Sequence, residues 1–312
     1  MRMTATKQKT QTGIALITAM LVVSLATITA VSMTSEQQIY FRRTENMLFH
    51  QQAYLYLLGA EDWARHVLNR DLSNNNTDSS EDDWAQVLPA LPVEGGSIAG
   101  TIEDLQGRFN LNNLSTGGTN SPDFIRFQQL LQNYQINEDL AFAVLDWIDA
   151  DSNVTFPNGA EDIEYMSRQP SYRAANGMMQ SASELLHVNG FTYDMYQQIA
   201  PAIIALPETT EINVNTAPAI VLQMIVPDIS ESDVKELITD REDTPFENIQ
   251  DFLTHPLVQG KQVNTAGLTV NSEYFLLKAY ARIGRANATL ESILHRKGQD
   301  AIATIVRSQG GL

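Results

Sequence analysis

The chain has 312 residues, no cysteine, and 37 acidic against 20 basic side chains, a formal charge of −17. Disulfides and thiolate metal sites are excluded, and an acidic surface repels phosphate, so nucleic acid is not an expected partner. A hydrophobic content of 43% supports a packed core in one large or two ordinary domains, and the five scattered histidines (His50, His66, His187, His255, His295) show no paired metal-ligand spacing.

The first element is the stretch "KTQTGIALITAMLVVSLATITAVSM", Lys9 to Met33. Residues Ile14 to Met33 carry no charge, and twenty residues at about 1.5 Å each span roughly 30 Å, the thickness of a bilayer core. A cleaved signal peptide has a shorter apolar region and ends in a small-residue site, which is absent here. Arg2, Lys7 and Lys9 precede the run and Glu36 is the first charge after it, so the N-terminus is expected in the cytoplasm and the rest outside; Arg42 and Arg43 weaken that asymmetry. An uncleaved signal anchor fits these features. The helix is expected to continue, because Ser35 to about Leu72 contains no proline and one glycine, Gly59. Tyr40, Met47, Tyr54 and Leu58, with Leu48 and Leu55 alongside, recur at helical spacing, so the second half is expected to pack that stripe on a globular body.

The layout "KQKTQTG" followed by "IALITAMLVV" resembles the type IV pilin and type II secretion pseudopilin families. The resemblance implies a leader ending at Gly13, cut by a prepilin peptidase on the cytoplasmic face, and methylation of the new N-terminal residue, Ile14. It departs at the fifth mature position, where those families carry a glutamate that pairs with the N-terminal amine of a neighbouring subunit. This chain has Thr18 there. A carboxylate in a bilayer is costly without a partner. Its absence resembles the K-type minor pseudopilin of type II secretion (the general secretion pathway protein K family), which caps the fibre tip.

Beyond the helix, "NNNTDSSEDD" (Asn74–Asp83) reads as a solvated loop. Ser97 to about Glu103 and Arg108 to Leu111 alternate around "DLQG", which predicts a β-hairpin; "GRFNLNNL" also resembles a K-type segment. From Pro122 to Leu253 the pattern is helical. Phe124, Phe127, Leu130 and Leu131 form one apolar face; Leu140, Ala143, Val144 and Trp147 form another, after the capping phrase "NED". Further helices are expected at Ser183–Val188, Tyr193–Ala202, Ala217–Ile225, Ser230–Asp240 and Asn248–Leu253. "SESDVKELI" places serine and acids at a helix start, where they suit the dipole. After Pro256, "GLTVNSEYFLLKAYARIG", "ATLESILHRKG" and "AIATIVRSQ" read as strands.

Strands on either side of a helical block must pair to bury their apolar faces. The expected fold is therefore α+β and pilin-like: a long N-terminal transmembrane and stalk helix on an antiparallel sheet, interrupted by a large all-α insertion. The expected divisions are a leader at 1–13, a transmembrane helix at 14–34, stalk and first strands at 35–115, the insertion at 116–262 and closing strands at 263–312.

The acidic stretch "DWIDADSNVTFPNGAEDIEY" (Asp146–Tyr165) is the candidate site. Asp149, Asp151 and Asn153 have the D-x-D-x-N spacing of a calcium loop. The match stops there: the sixth position is Val154, not glycine, and the twelfth is Ala160. Glu161 and Asp162 would complete the shell if the loop folds back. Such dense carboxylates repel one another unless a cation sits among them, and their all-oxygen chemistry suits Ca²⁺ over zinc. A solvated acidic loop capping the preceding helix is the competing reading. K-type pseudopilins bind calcium, and "DWIDAD" with "GAEDIEY" resembles their acidic segment, so the resemblance implies a calcium site here.

Ile212 to Leu253 resembles a helix-hairpin-helix module, with "INVNTA" at its start and "PFENIQDF" near its end; the K-type family carries the same "NVNTAP" phrase. DNA-binding versions offer a glycine-rich hairpin to phosphate. Here the hairpin reads "VPDIS", and the segment holds nine acids against Lys235 and Arg241, so the scaffold is expected without the DNA function. No nucleophile motif, phosphate loop or metalloprotease helix is present in the sequence. Asp146 and Asp149 share a helix face at i, i+3, but a cap or cation ligand suits them better than a hydrolytic pair.

The expectation is a non-enzymatic minor pseudopilin, inserted once in the bacterial inner membrane with its body in the periplasm. It would help start the fibre that exports folded proteins. The resemblance implies I- and J-type minor pseudopilins, the major pseudopilin, the inner-membrane secretion platform and the prepilin peptidase as partners. The alternatives are a signal-anchored periplasmic binding protein or hydrolase, and a membrane-anchored helix-hairpin-helix DNA receptor.

Overall fold

A computed structural model describes residues 12–74, 76–298 and 302–310; residues 1–11 of the expected leader lie outside the described residues. Helix α1 runs unbroken over Thr12–Asn74, 63 residues, or about 95 Å at 1.5 Å per residue. Its first half is long and apolar enough to cross a membrane and packs against nothing else among the described residues: Ile14, Leu16, Ile17, Met20, Leu21 and their neighbours through Met33 are all exposed.

The second half of α1 lies on one face of a five-stranded antiparallel sheet ordered β1-β2-β7-β8-β9: β1 Leu88–Val93, β2 Gly96–Asp104, β7 Tyr274–Ile283, β8 Ala286–Arg296 and β9 Ile302–Ser308. The buried stripe differs from the expected one. Ala53, Leu57, Ala60, Ala64, Val67 and Leu68 meet Phe275, Leu277, Ala279, Ala281, Ile283 and Leu290, whereas Met47, Leu48 and Leu55 are exposed. The alanines let the helix approach the sheet closely, and Tyr54 and Leu58 flank the seam. Strand β7 alternates faces with period two, so Tyr274 and Leu276 point away from α1. Gly284, at φ +53, supplies the left-handed residue of the two-residue turn between β7 and β8, and a Cβ there would strike the Phe49 ring at 2.6 Å.

Polar clamps complete the stalk. Glu61 is buried in α1 and its carboxylate accepts from Arg307 Nε (2.9 Å) and Nη2 (2.7 Å), Ser292 Oγ (2.7 Å) and Thr304 Oγ1 (2.8 Å), fastening β8 and β9 to the helix. Near the end of α1, buried Arg296 pairs with Asp71 (3.3 Å) and Asp78 and donates to the Ser272 carbonyl (2.7 Å). Burial pushes both carboxyls above the usual carboxylate range despite the guanidinium.

The chain leaves the sheet at Asp104 and re-enters at Tyr274, and these positions lie on neighbouring strands. They sit at the end of the sheet where Arg296 touches the Leu68 carbonyl and Asp71, whereas the opposite end is marked by Phe49 against Gly284. The intervening body therefore emerges at the end of α1 farthest from the apolar segment. It contains α2 (Pro122–Asn133), α3 (Leu140–Ile148), α4 (Asp162–Met166), α5 (Tyr193–Ile199), α6 (Ala219–Ile225), α7 (Glu231–Asp243) and α8 (Ile249–Thr254). Phe124, Phe127, Leu130, Leu131, Val144 and Trp147 enter its core, as their spacing predicts. Ser230 Oγ caps α7 through the Asp233 N–H (3.1 Å). The α6–α7 hairpin has Asp228 at φ +54 where a glycine-rich version would have glycine.

Two expectations change. Phe109–Asn110 (β3) does not fold back on β2; it pairs in parallel with Ile203–Ile204 (β4), inside the helical body. A second short parallel ladder joins Ile212–Asn213 (β5) to Leu268–Thr269 (β6), so the body is helical apart from these two ladders. The strand that does pair with β2 as a hairpin is β1, "LPALPV", whose two prolines are tolerated because it is an edge strand.

Candidate functional site

The acidic loop leaves α3 at Asp149 and returns at α4. It winds through successive side-chain-to-backbone turns: Asp149 Oδ1 accepts from the Asp151 N–H (3.2 Å), and Asp151 Oδ1 from the Asn153 N–H (2.7 Å). Asp146, buried in α3, accepts from the Thr155 N–H with both oxygens (3.1 and 3.0 Å), which curls the loop back over the helix end. Gly159 is the closing residue. A Cβ there would lie 2.1 Å from Asp146 Oδ2 and 2.5 Å from the Thr155 carbonyl oxygen, so only glycine permits this approach.

The fold-back brings Asp149, Asp151 and Glu161 together, each with one carboxylate oxygen within 4.8 Å of the others. Glu161 is 3% exposed, and among the described residues neither of its oxygens has a partner in good hydrogen-bond geometry, the Asp162 N–H being its one favourable neighbour. A buried carboxylate without a well-aligned donor is expensive. Burial and the neighbouring Asp146 and Asp149 push its carboxyl up to about 7. Burial also raises Asp146 and Asp149. These groups would hold a hard cation: oxygen donors only, two of them on a turn-rich loop and one an orphaned carboxylate facing them.

Of the other two expected ligands, Asp162 has its carboxylate engaged elsewhere. Asp162 lies outside the group; its Oδ1 accepts from the Ala174 N–H (3.1 Å) and its Oδ2 is 3.8 Å from Arg173 Nε. Asn153 is exposed and takes part through its backbone N–H. Asp146, which reads from its i, i+3 spacing with Asp149 as a cap or cation ligand, is here the acceptor that shapes the loop; Gly159 carries no spacing signal. At the other end of the molecule, Thr18 Oγ1 donates to the carbonyls of Ile14 (3.1 Å) and Ala15 (3.0 Å), so its hydroxyl is satisfied within its own helix.

The helix-hairpin-helix segment offers little to phosphate. Its buried arginine, Arg241, spends Nη1 on the Val214 carbonyl (2.6 Å) and Nη2 on that of Ala217 (2.7 Å). Asn215 likewise closes the module on Phe246, donating to its carbonyl (3.0 Å) and accepting from its N–H (3.0 Å).

Family models described as "Type II secretion system (T2SS), protein K" match residues 107–208 and 212–271. The type II secretion system protein K of Pseudomonas aeruginosa is 33% identical over 97% of this chain and 94% of its own. That of Pectobacterium carotovorum is 34% identical over 96% and 97%. Among solved structures, the GspK–GspI–GspJ complex from enterotoxigenic Escherichia coli contains a chain that superposes with a TM-score of 0.77 at 27% identity, covering 86% of this chain and 100% of that one. The chain belongs to the type II secretion system protein K family and is a minor pseudopilin.

Proposed function

We propose that this pseudopilin occupies the tip of the pseudopilus, above its I- and J-type partners, and helps to initiate the fibre that extends through the major pseudopilin on the inner-membrane platform. The observation that carries this reading is the position of the insertion, at the end of α1 farthest from the apolar segment. A mass there obstructs a further subunit stacked above. Thr18 supports the same reading. Its hydroxyl is self-satisfied and needs no partner in the bilayer, whereas a glutamate would demand a neighbour's amine.

In this reading prepilin peptidase cuts between Gly13 and Ile14, Ile14 is methylated, and residues 14–33 remain as a single inner-membrane helix with the body in the periplasm. The role is structural, not catalytic. Asp149, Asp151 and Glu161 hold Ca²⁺, which neutralises the orphaned Glu161 and fixes the loop in a chain without disulfides. The solved complex of GspK with GspI and GspJ makes the I- and J-type subunits the expected partners. The test is co-expression of the full chain with the I- and J-type subunits of the same system, followed by purification from detergent. The three should elute as one complex with one copy of each; a chain that elutes alone overturns the reading.

A further inference from the structure

A second group of potential ligands lies between the insertion and the sheet, away from the acidic loop. His295, in β8, sits directly opposite Tyr274 of β7, and the two rings stack with centroids 4.1 Å apart and planes 17° from parallel. The histidine side chain is 5% exposed, and its Nε2 points at two carboxylates: Glu208 Oε1 at 3.6 Å and Glu273 Oε2 at 3.7 Å. Both separations exceed hydrogen-bond length. The three ligand atoms lie within 4.8 Å of one another. Glu208 comes from the insertion, between β4 and β5, and Glu273 immediately precedes β7.

We infer that His295, Glu208 and Glu273 form a binding site for a zinc-class divalent cation that pins the insertion to the sheet. A tetrahedral ion with bonds of about 2.1 Å has ligand–ligand edges of roughly 3.4 Å, close to the separations from Nε2. One imidazole and two carboxylates with an open fourth position for water match zinc, and the nitrogen donor turns the site away from calcium. The surroundings are those of a supported metal ligand. Tyr274 stacks on the ring and donates its hydroxyl to Glu208 Oε1, the same oxygen that faces Nε2, so one side chain orients two of the three ligands.

The test uses the full chain without a histidine tag, in detergent at pH 7.5, with Ca²⁺ in excess to occupy the acidic loop. Titration with Zn²⁺ should show one saturable equivalent per chain, and Co²⁺ should develop the visible absorption of a site with mixed nitrogen and oxygen ligands. Glu273→Gln, at a residue 63% exposed, should melt as the parent does in Ca²⁺ alone and should lose the Zn²⁺ equivalent. Tyr274→Phe keeps the stacking and should weaken Zn²⁺ about tenfold or more. Asp151→Asn should leave Zn²⁺ binding unchanged. The inference is overturned by an absence of saturable binding, by binding that survives Glu273→Gln, or by binding that disappears in Asp151→Asn, which would assign the ion to the acidic loop.

Discussion

Glu161→Gln should stabilise the metal-free protein and at the same time abolish its response to calcium. The carboxyl is pushed from 4.5 to about 7 in the folded chain, chiefly by burial and then by Asp146 and Asp149. That displacement corresponds to about 3 kcal/mol at 1.36 kcal/mol per pKa unit. Because the folded state disfavours the charged form, the contribution of this group to the metal-free fold is most favourable below pH 4.5 and falls by this amount as pH rises through about 7. Glutamine keeps the shape and removes the charge. Allowing for the burial of its own amide, the metal-free variant should gain roughly 2 kcal/mol at pH 8, or about 3 °C in melting temperature. In the parent, Ca²⁺ at a hundred times its Kd should contribute about 2.7 kcal/mol; in the variant that shift should vanish. The assay is thermal melting of the full chain followed by tryptophan fluorescence, with EDTA or Ca²⁺. Trp147 reports locally, since it lies in α3 with its ring 5.1 Å from that of Tyr165. A variant that melts below the parent in EDTA, or keeps the full calcium shift, refutes the reasoning.

Glu61 should give the opposite pH dependence. Burial alone would push its carboxyl up, but hydrogen bonds from Arg307, Ser292 and Thr304, with Arg65 nearby, outweigh it and hold the group at about 2. Its stabilisation, on the order of 3 kcal/mol, is complete above pH 4.5 and is lost as pH falls through about 2; Glu61→Gln should flatten the acid limb of the stability curve and speed amide exchange in β9. Asn112 is fully buried, donates to the carbonyls of Met179 (2.9 Å) and Leu206 (2.7 Å) and accepts from the Met179 N–H (2.8 Å). Asn112→Ala leaves these three backbone groups unpaired and should cost about 3–5 kcal/mol, read as a lowered urea midpoint.

What the sequence made legible follows the range of the interactions involved. The length of α1 was readable because an uninterrupted helix needs only local permission: no proline, few glycines and a charge-free first half. Its buried face was not readable, since alanines at positions 53, 60 and 64 look neutral until a sheet is placed against them. The helices of the insertion announced themselves by local caps and apolar spacing. The partner of Phe109–Asn110 did not, because alternation marks a strand without naming its neighbour, and Ile203–Ile204 lies far along the chain. The acidic site divides the same way. Asp149 and Asp151 follow from spacing within one loop, and Glu161 from local acid density, but the turn of Asp162 toward Ala174 depends on tertiary folding. His295, Glu208 and Glu273 meet only through the sheet register and the docking of the insertion, so single-sequence spacing carried no trace of them.

The proposed role requires a subunit that keeps its apolar helix after processing and assembles through it. The most direct test is the intact mass and N-terminal sequence of the chain purified from membranes of cells containing prepilin peptidase. A mature chain beginning with N-methylated Ile14 is predicted. A chain that retains Met1, or begins beyond Met33, would contradict it.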